Sequence, residues 1–464
     1  MKILLVAPSS SAIYGCFHAP DHPPLGLAYL AAVLEREGHR IRIVDVDADR
    51  FSEADFTKLL KDEGYGLVGI TTTTPTFNNA VYLTHLVKKH SSAKTVLGGI
   101  HVTNMPLESI SIDSVDFVIK GEGEVTIVEL ARALEEQQEP DKIDGLFYKK
   151  DSRVIQNKER QLIEDLNSLP FPARYLFKHT SYNYPDALFK PAMPIMTSRG
   201  CPASCSFCCS RTIFTREFRA RRPENIVDEI EYLIKEFKAK EIHIWDDNFV
   251  TQKNRVFDIR DEIKRRNIKI KFAFPNGIRS DYVDLELLRA LKDMGTYSVA
   301  YGVESGNQAV LDRVNKNLKL EQIERVFKQT KRLGIETWAF FMIGLPGETA
   351  RTIKDTIDFA VKLNPDVAKF HILKPFPGSE IYAEFTKQGL LWDKEFNHFG
   401  VHTAPVHRLE ALSSEEILNW QKQAYREFYL RPSILLKQVL RLKSINRLKL
   451  NLIVGKDILK NIIR

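Results

Sequence analysis

Strand and helix alternate along most of this 464-residue chain. The alternation predicts an α/β protein with two parallel sheets. Three observations carry the prediction. Short apolar runs, ending in loops of small or charged residues, recur five times before residue 140. Six more strand-like runs, separated by amphipathic windows, follow between residues 190 and 390. Beyond 390 this alternation stops, and the apolar positions near the C-terminus take a helical period. The expected division is 1–140, a doubly wound (Rossmann-like) domain; 141–190, a linker; 191–390, a partial (β/α)6 barrel; and 391–464, a helical region with a basic tail. With 44% hydrophobic and 27% charged residues, the composition is that of an ordinary globular chain.

The first strand, Lys2–Ala7, runs straight into Pro8 and serines. That apolar run is too short for a secretory signal peptide. A Pro-rich loop from His18 to Pro24 leads to a helix with apolar residues at Leu27, Leu30, Ala31 and Leu34, stopped at Gly38. Ile41–Val46, Gly66–Ile70, Thr95–Gly99 and Phe117–Lys120 are the next strands. Three of them end in Thr71-Thr72-Thr73-Thr74-Pro75, His101-Val102-Thr103 and Gly121-Glu122-Gly123-Glu124. Doubly wound sheets bind ligands outside the carboxyl ends of their strands. Small residues at those ends let backbone approach a large flat ligand closely. No G-x-G-x-x-G follows the first strand, which argues against a dinucleotide.

Within the linker, Gly145–Tyr148 and Val154–Ile155 read as a hairpin, followed by Leu166-Asn167-Ser168-Leu169-Pro170-Phe171-Pro172. The second set of strands is expected at 194–198, 241–245, 269–274, 297–303, 337–343 and 368–373, with helices at 224–237, 252–266, 284–293, 319–333 and 349–363. Their ends carry Asp246-Asp247-Asn248, Arg279 with Asp281, Glu304-Ser305-Gly306 and Gly344-Leu345-Pro346-Gly347-Glu348. The carboxyl rim is where barrel chemistry sits.

Four of the five cysteines lie in Thr197–Arg211, TSRGCPASCSFCCSR. Cys201, Cys205 and Cys208 are spaced C-x3-C-x2-C, with Phe207 before the third. Three thiolates on one short loop can each take one iron of a four-iron, four-sulfur cluster and leave the fourth iron open. A structural zinc site would close that position with a fourth Cys or His. Disulfides between residues this close would staple nothing distant. Cys209 and Cys16 read as bystanders.

This stretch resembles the radical S-adenosylmethionine (SAM) superfamily. The resemblance implies that SAM chelates the open iron and is cleaved there to a 5′-deoxyadenosyl radical. It also implies SAM contacts from Phe207, Asp246, Arg279, Glu304, Ser305 and Gly344. Where the family usually has GGE, this chain has Asp246-Asp247-Asn248.

The N-terminal half resembles the cobalamin-binding domain fused to some radical SAM domains, through PPLGLAYLAAVLEREGH, GITTTTPTF, GGIHVT and FVIKGEGE. By that resemblance Thr72, Thr73, Thr74, Gly98, Gly99, Gly121 and Glu122 line the cofactor pocket. The D-x-H-x-x-G motif that supplies a lower cobalt ligand in methionine synthase-type domains is absent; DVDADRF stands in its place. His18, His22 and His101 are the alternatives, each equally readable as a loop or packing histidine.

Residues 431–464 hold nine basic residues and Asp457, so the tail carries +8 of a net +7 and the rest is nearly neutral. General affinity for nucleic acid is not expected. Leu435, Leu436, Val439, Leu440 and Leu442 against Lys437, Gln438, Arg441 and Lys443 leave two readings of the tail. One is a helix packed on the body; the other is an interfacial helix on an anionic membrane, which would suit a lipid, isoprenoid or pigment substrate. Cysteine usage fits a reducing compartment, and no window reaches the roughly 18 apolar residues of a membrane span. The expectation is a cytoplasmic or peripherally bound enzyme served by a flavodoxin or ferredoxin. Its cofactors would be a 4Fe-4S cluster, SAM and cobalamin, and its reaction methylation of an unactivated carbon. The alternatives are a radical cyclase, ring-contraction or rearrangement enzyme, a tRNA methylthiotransferase-like enzyme, and a cobalamin sensor or carrier.

Overall fold

The computed structural model describes residues 1–14, 22–184 and 186–434. Cys16, His18 and the tail from residue 435 onward lie outside the described residues. The strands of the first sheet, β1 to β7, are Lys2–Ala7, Arg40–Asp45, Leu67–Thr71, Lys94–Gly98, Phe117–Ile119, Leu146–Lys150 and Arg153–Gln156. Their order is β2-β1-β3-β4-β5-β6-β7. The first five are parallel, as the uninterrupted burial of Ile3, Leu4, Leu5 and Val6 requires of a strand covered on both faces. Helices Leu25–Arg36 and Glu124–Glu135 cover one face; Glu53–Glu63 and Phe77–His90 cover the other. The hairpin β6–β7 is no free connection. It adds antiparallel to β5 through Phe117–Tyr148, Val118–Phe147 and Ile119–Leu146 and completes the sheet's edge.

The second domain opens with β8 (Ala192–Ile195), followed by a small antiparallel ladder of β9 (Ser198–Arg199) with β10 (Arg219–Ala220). Then come β11 (Glu241–Ile244), β12 (Lys271–Ile278), β13 (Thr296–Glu304), β14 (Glu336–Ile343) and β15 (Val367–Ile372). Together with β8 these five form the barrel sheet, parallel throughout, in the order β15-β14-β13-β12-β11-β8. Its strands thus follow one another in sequence order, the sign of an opened barrel rather than a second doubly wound sheet. Its helices stop where the chain supplies a left-handed residue or a new cap. Pro223–Phe237 ends at Lys238, φ 54°, and Ala350–Leu363 starts on a Thr349 capping box and ends at Asn364, φ 48°.

Two devices outside the sheets hold the assembly. Glu229, with no exposed surface, receives Arg174 of the linker at 2.6 Å and also Arg221. Burial alone would raise its pKa, but the two guanidiniums bring it below the usual carboxylate range. Beyond the barrel, helix Ser414–Tyr429 lies on β15 and donates Tyr429 Oη to Ala368 O at 2.8 Å. Between them, the segment Phe396–Phe399 crosses to the first domain, where Phe396 packs edge-on to Phe77 and His101. Lys374 fastens this crossing: its Nζ donates to His398 O at 3.0 Å, to Thr403 Oγ1 at 2.8 Å and to Ala404 O. Burial lowers its pKa to about 7, and the attraction of Asp393 only partly opposes that fall.

The turn after β14 is closed by Glu348, whose Oε2 accepts from Gly344 N at 2.7 Å and Leu345 N at 3.0 Å. Burial pushes this carboxyl up to about 8. Gly344 has φ 90°, and a Cβ there would lie 2.8 Å from His407 Nε2, so only glycine fits.

Two outcomes are expected. Glu229→Ala leaves two guanidiniums buried without an anion and costs about 3–5 kcal/mol, read as a lowered melting temperature or loss of soluble chain. A raised folded-state pKa adds stability that is complete below the ordinary value near 4.5 and lost as pH rises through about 8. Glu348→Gln therefore flattens the fall of melting temperature between those pH values, measured by thermal melts of both chains.

Candidate functional site

The carboxyl rims of the two sheets meet at the loop that follows β9. Gly200, φ 87°, opens this loop; a Cβ there would lie 2.0 Å from Glu217 O. The loop is pinned from outside by Ser206 N to Val314 O at 3.0 Å and folded on itself by Cys208 N to Cys205 O at 3.1 Å. Cys205 is buried, while Cys201 and Cys208 are half-buried; none of the three is crosslinked. Cys208 Sγ accepts from Ser210 N at 3.4 Å. Burial pushes the Cys208 thiol up to about 11, so a metal held there would have to displace its proton. Among the described residues no three His, Cys, Asp or Glu side chains converge on one ion position. Cys209 turns away, its Sγ 3.5 Å from Pro377 O.

Around this loop the rim residues divide. Phe207 is half-buried, with Lys316 Nζ 5.6 Å from its ring centre. Lys316 is 5% exposed and donates to Glu304 Oε1 at 2.7 Å. Glu304 itself is held at φ 67° at the end of β13, a backbone conformation that costs energy in a non-glycine residue. Arg279 donates to Cys205 Sγ, to Lys316 O and, through both sides of its fork, to Asp281. Asp246 points back into the fold: it accepts from Thr197 N at 2.6 Å and from the hydroxyls of Thr197 and Ser198. Its neighbour Asp247 accepts from Gly200 N at 3.2 Å, at the loop's start. Asn248 holds the Arg279 backbone at 3.2 Å. Ser305 Oγ meets Thr356 Oγ1 at 3.0 Å, and Gly344 is backed by His407.

The second half of the site is a cavity of about 180 Å³ between the first sheet and residues that flank the cysteine loop. Of the seven residues expected to line a cofactor pocket there, Gly98, Gly99, Gly121 and Glu122 do so. The hydroxyls of Thr72, Thr73 and Thr74 bond instead to Gly98 O, Thr76 and His101. The walls are apolar (Leu5, Leu27, Leu30, Ile119), and the barrel contributes Met196, Arg199, Ile213 and Phe214. A flat aromatic base fits between such walls; the glycines let it approach the backbone. Arg199 donates to Glu122 Oε1 at 2.6 Å and Glu124 Oε1 at 2.5 Å; Arg219 reaches both oxygens of Glu122. Burial alone would raise the pKa of Glu122, and these arginines hold it down. His101 is fully buried, its ring centred 4.1 Å from that of Phe77, and burial lowers its pKa to about 4. It does not line the cavity. His22 lies among Trp245, Tyr184 and His243 at the barrel's mouth.

Arg199, Asp247 and Lys316 escape a reading by motif. Arg199 lies two residues before Cys201, a signal that proximity could have supplied. Lys316 sits between Asn315 and Asn317, both at positive φ, and only the folded chain brings it to Glu304.

Comparison with known proteins agrees with this geometry. Residues 195–360 match the Radical SAM superfamily and residues 18–131 the B12 binding domain. An uncharacterized methyltransferase of Pyrococcus horikoshii is 33% identical over 95% of this chain and 95% of its own. The anaerobic magnesium-protoporphyrin IX monomethyl ester cyclase of Rubrivivax gelatinosus is 29% identical over 94% of this chain and 78% of its own. In fold, the chain is similar to the radical SAM methyltransferase TsrM from Kitasatospora setae, solved with cobalamin and a [4Fe-4S] cluster: TM-score 0.70, 20% identity, 84% of this chain and 79% of that one. The two matched domains bring three cofactors with them, a four-iron cluster, SAM and cobalamin. On the strength of the Pyrococcus relative, aligned almost end to end, this chain belongs to the radical SAM enzymes that carry an N-terminal cobalamin-binding domain.

Proposed function

We propose that the chain is a methyltransferase that methylates an unactivated carbon of a small molecule. One observation carries the reading: the apolar cavity of the first domain is walled on the barrel side by Met196, Arg199, Ile213 and Phe214, which flank the cysteine loop in the chain, so the two cofactors would lie close to one another. The Pyrococcus relative, a methyltransferase by name, supports the same reading. Bound together, the cofactors supply a substrate radical and a methyl group to quench it.

The chain's own residues have other tasks. Cys201, Cys205 and Cys208 hold the cluster and leave one iron open. Phe207 and the Gly344 turn would hold the adenosyl part of SAM. Lys316, whose Nζ makes a single bond to Glu304, has N–H groups left for a carboxylate such as SAM's. Glu304 keeps that ammonium aimed. Gly98, Gly99 and Gly121 seat the flat base of cobalamin. Among the described residues no histidine lines that cavity. Substrate would approach over the carboxyl rim of the partial barrel.

Two finer points extend this reading. The basic tail from 431 to 464 touches an anionic membrane surface, and the substrate is then a lipid, isoprenoid or pigment. Among the described residues no helix is long and apolar enough to cross a membrane. The electron comes from a flavodoxin or ferredoxin. A second reading, oxidative cyclisation without methyl transfer, has the Rubrivivax cyclase in its favour.

Formation of S-adenosylhomocysteine alongside 5′-deoxyadenosine, under dithionite without oxygen, is the outcome expected of the reconstituted chain. Deoxyadenosine with substrate turned over but never methylated would favour cyclisation. Cys205→Ala is expected to abolish deoxyadenosine and leave the corrin absorbance in place. Conversely, Gly26 lines the cavity, and a Cβ added there would meet nothing within 4 Å. A side chain can therefore be introduced at that point of the cavity wall. Gly26→Leu is expected to lower cobalamin retention about tenfold with iron content unchanged, read from visible spectra and iron assay.

A further inference from the structure

We propose that Arg279 sets the reduction potential of the cluster by donating to the sulfur of Cys205. The proposal rests on the reading that Cys201, Cys205 and Cys208 hold that cluster. Of the three thiols, Cys205 is the buried one, at 8% exposure. Arg279 Nη1 lies 3.3 Å from its Sγ. Arg279 is itself only 8% exposed.

Three of its other four N–H donors are committed. Nε bonds Asp281 Oδ1 at 3.1 Å; Nη2 bonds Asp281 Oδ2 at 2.8 Å and Lys316 O at 2.7 Å. The fork is therefore not free to clamp a carboxylate, which sets it apart from Lys316. The backbone is fixed as well: Arg279 N donates to Asn248 Oδ1 at 3.2 Å. The pairing of β12 with β13 shifts register between Phe274 and Ile278, just before Arg279. Four contacts thus hold one cation against one sulfur.

Reduction of the oxidised cluster takes one electron from a low-potential one-electron donor. The cluster gains one negative charge, and no proton needs to move. A cation at bonding distance from a ligand sulfur stabilises the more negative state, and burial strengthens the effect. Asp281 partly offsets it, because its carboxylate faces the same guanidinium. Arg279 and Asp281 together act as a graded setting: the cation favours reduction and the anion opposes it.

The experiment is a redox titration of the reconstituted full-length chain under dithionite, followed by electron paramagnetic resonance. Arg279→Gln is expected to move the midpoint to more negative potential, with Arg279→Lys between it and the parent. Asp281→Asn is expected to move it the opposite way. Shifts of opposite sign are what a purely structural role would not produce. Equal midpoints in all chains, at full iron content, overturn the proposal and leave the cluster assignment standing. If the Gln variant loses iron, the Asp281→Asn shift decides alone. An unaltered chain that binds fewer than about four irons overturns both the assignment and the proposal.

Discussion

Two arginines of the barrel reach across to one pair of carboxylates in the first domain. Arg199 and Arg219 meet Glu122, and Arg199 also meets Glu124, all with less than a tenth of their side-chain surface exposed. Taking four charges out of water is costly unless each finds its partner in good geometry. Here each does, and Ile163 N adds a donor to Glu122 Oε2 at 2.8 Å. Burial would lower the pKa of Arg199, but Glu124 and Glu122 raise it above its ordinary value. A docking built on buried ions tolerates one register only, because any slip leaves a charge unpaired. The placement of the cavity beside the cysteine loop follows from that register.

The same logic explains how two parallel sheets present their carboxyl ends to one another. Arg174 reaches Glu229 from the linker, so the connection between domains is anchored inside the barrel's helical layer rather than draped over it. Its guanidinium also donates to Pro194 O at 2.7 Å, just before the cysteine loop. The strand ends then carry backbone that ordinary residues resist: Gly99, Gly121, Gly200 and Gly344 all lie at positive φ, and Glu304 does so without being glycine. At the rim the ladder's regular pairing ends, and the backbone there can take conformations that a paired strand forbids.

Much of this was legible from periodicity. Lys2–Ala7 is a strand to the residue, and the helix foreseen at 284–293 is found at Leu285–Asp293. The cysteine spacing named its own chemistry. What periodicity does not carry is pairing across long separations. Arg199 and Glu122 are 77 residues apart, and neither carries a local sign of the other. For the same reason the strand-end carboxylates looked alike: Asp246, Glu304 and Glu348 occupy similar positions, yet one is bound by hydroxyls, one by an ammonium and one by two amides. The Thr72–Thr74 run follows β3 as expected, but its hydroxyls bond Gly98 O, Thr76 and His101, and none of the three lines the cavity. A side chain's direction depends on neighbours that arrive from elsewhere in the chain.

The crossing by Phe396 bears on how the protein is made. The aromatic niche of Phe77 and His101 belongs to the first domain, yet its lid comes from a segment translated some three hundred residues later. A nascent chain must carry that niche uncovered until every barrel strand has been made, and a proteolytic fragment ending at the linker would keep it so. The N-terminal half is in this sense a domain by topology and a dependent partner by surface, best handled in the laboratory as part of the whole.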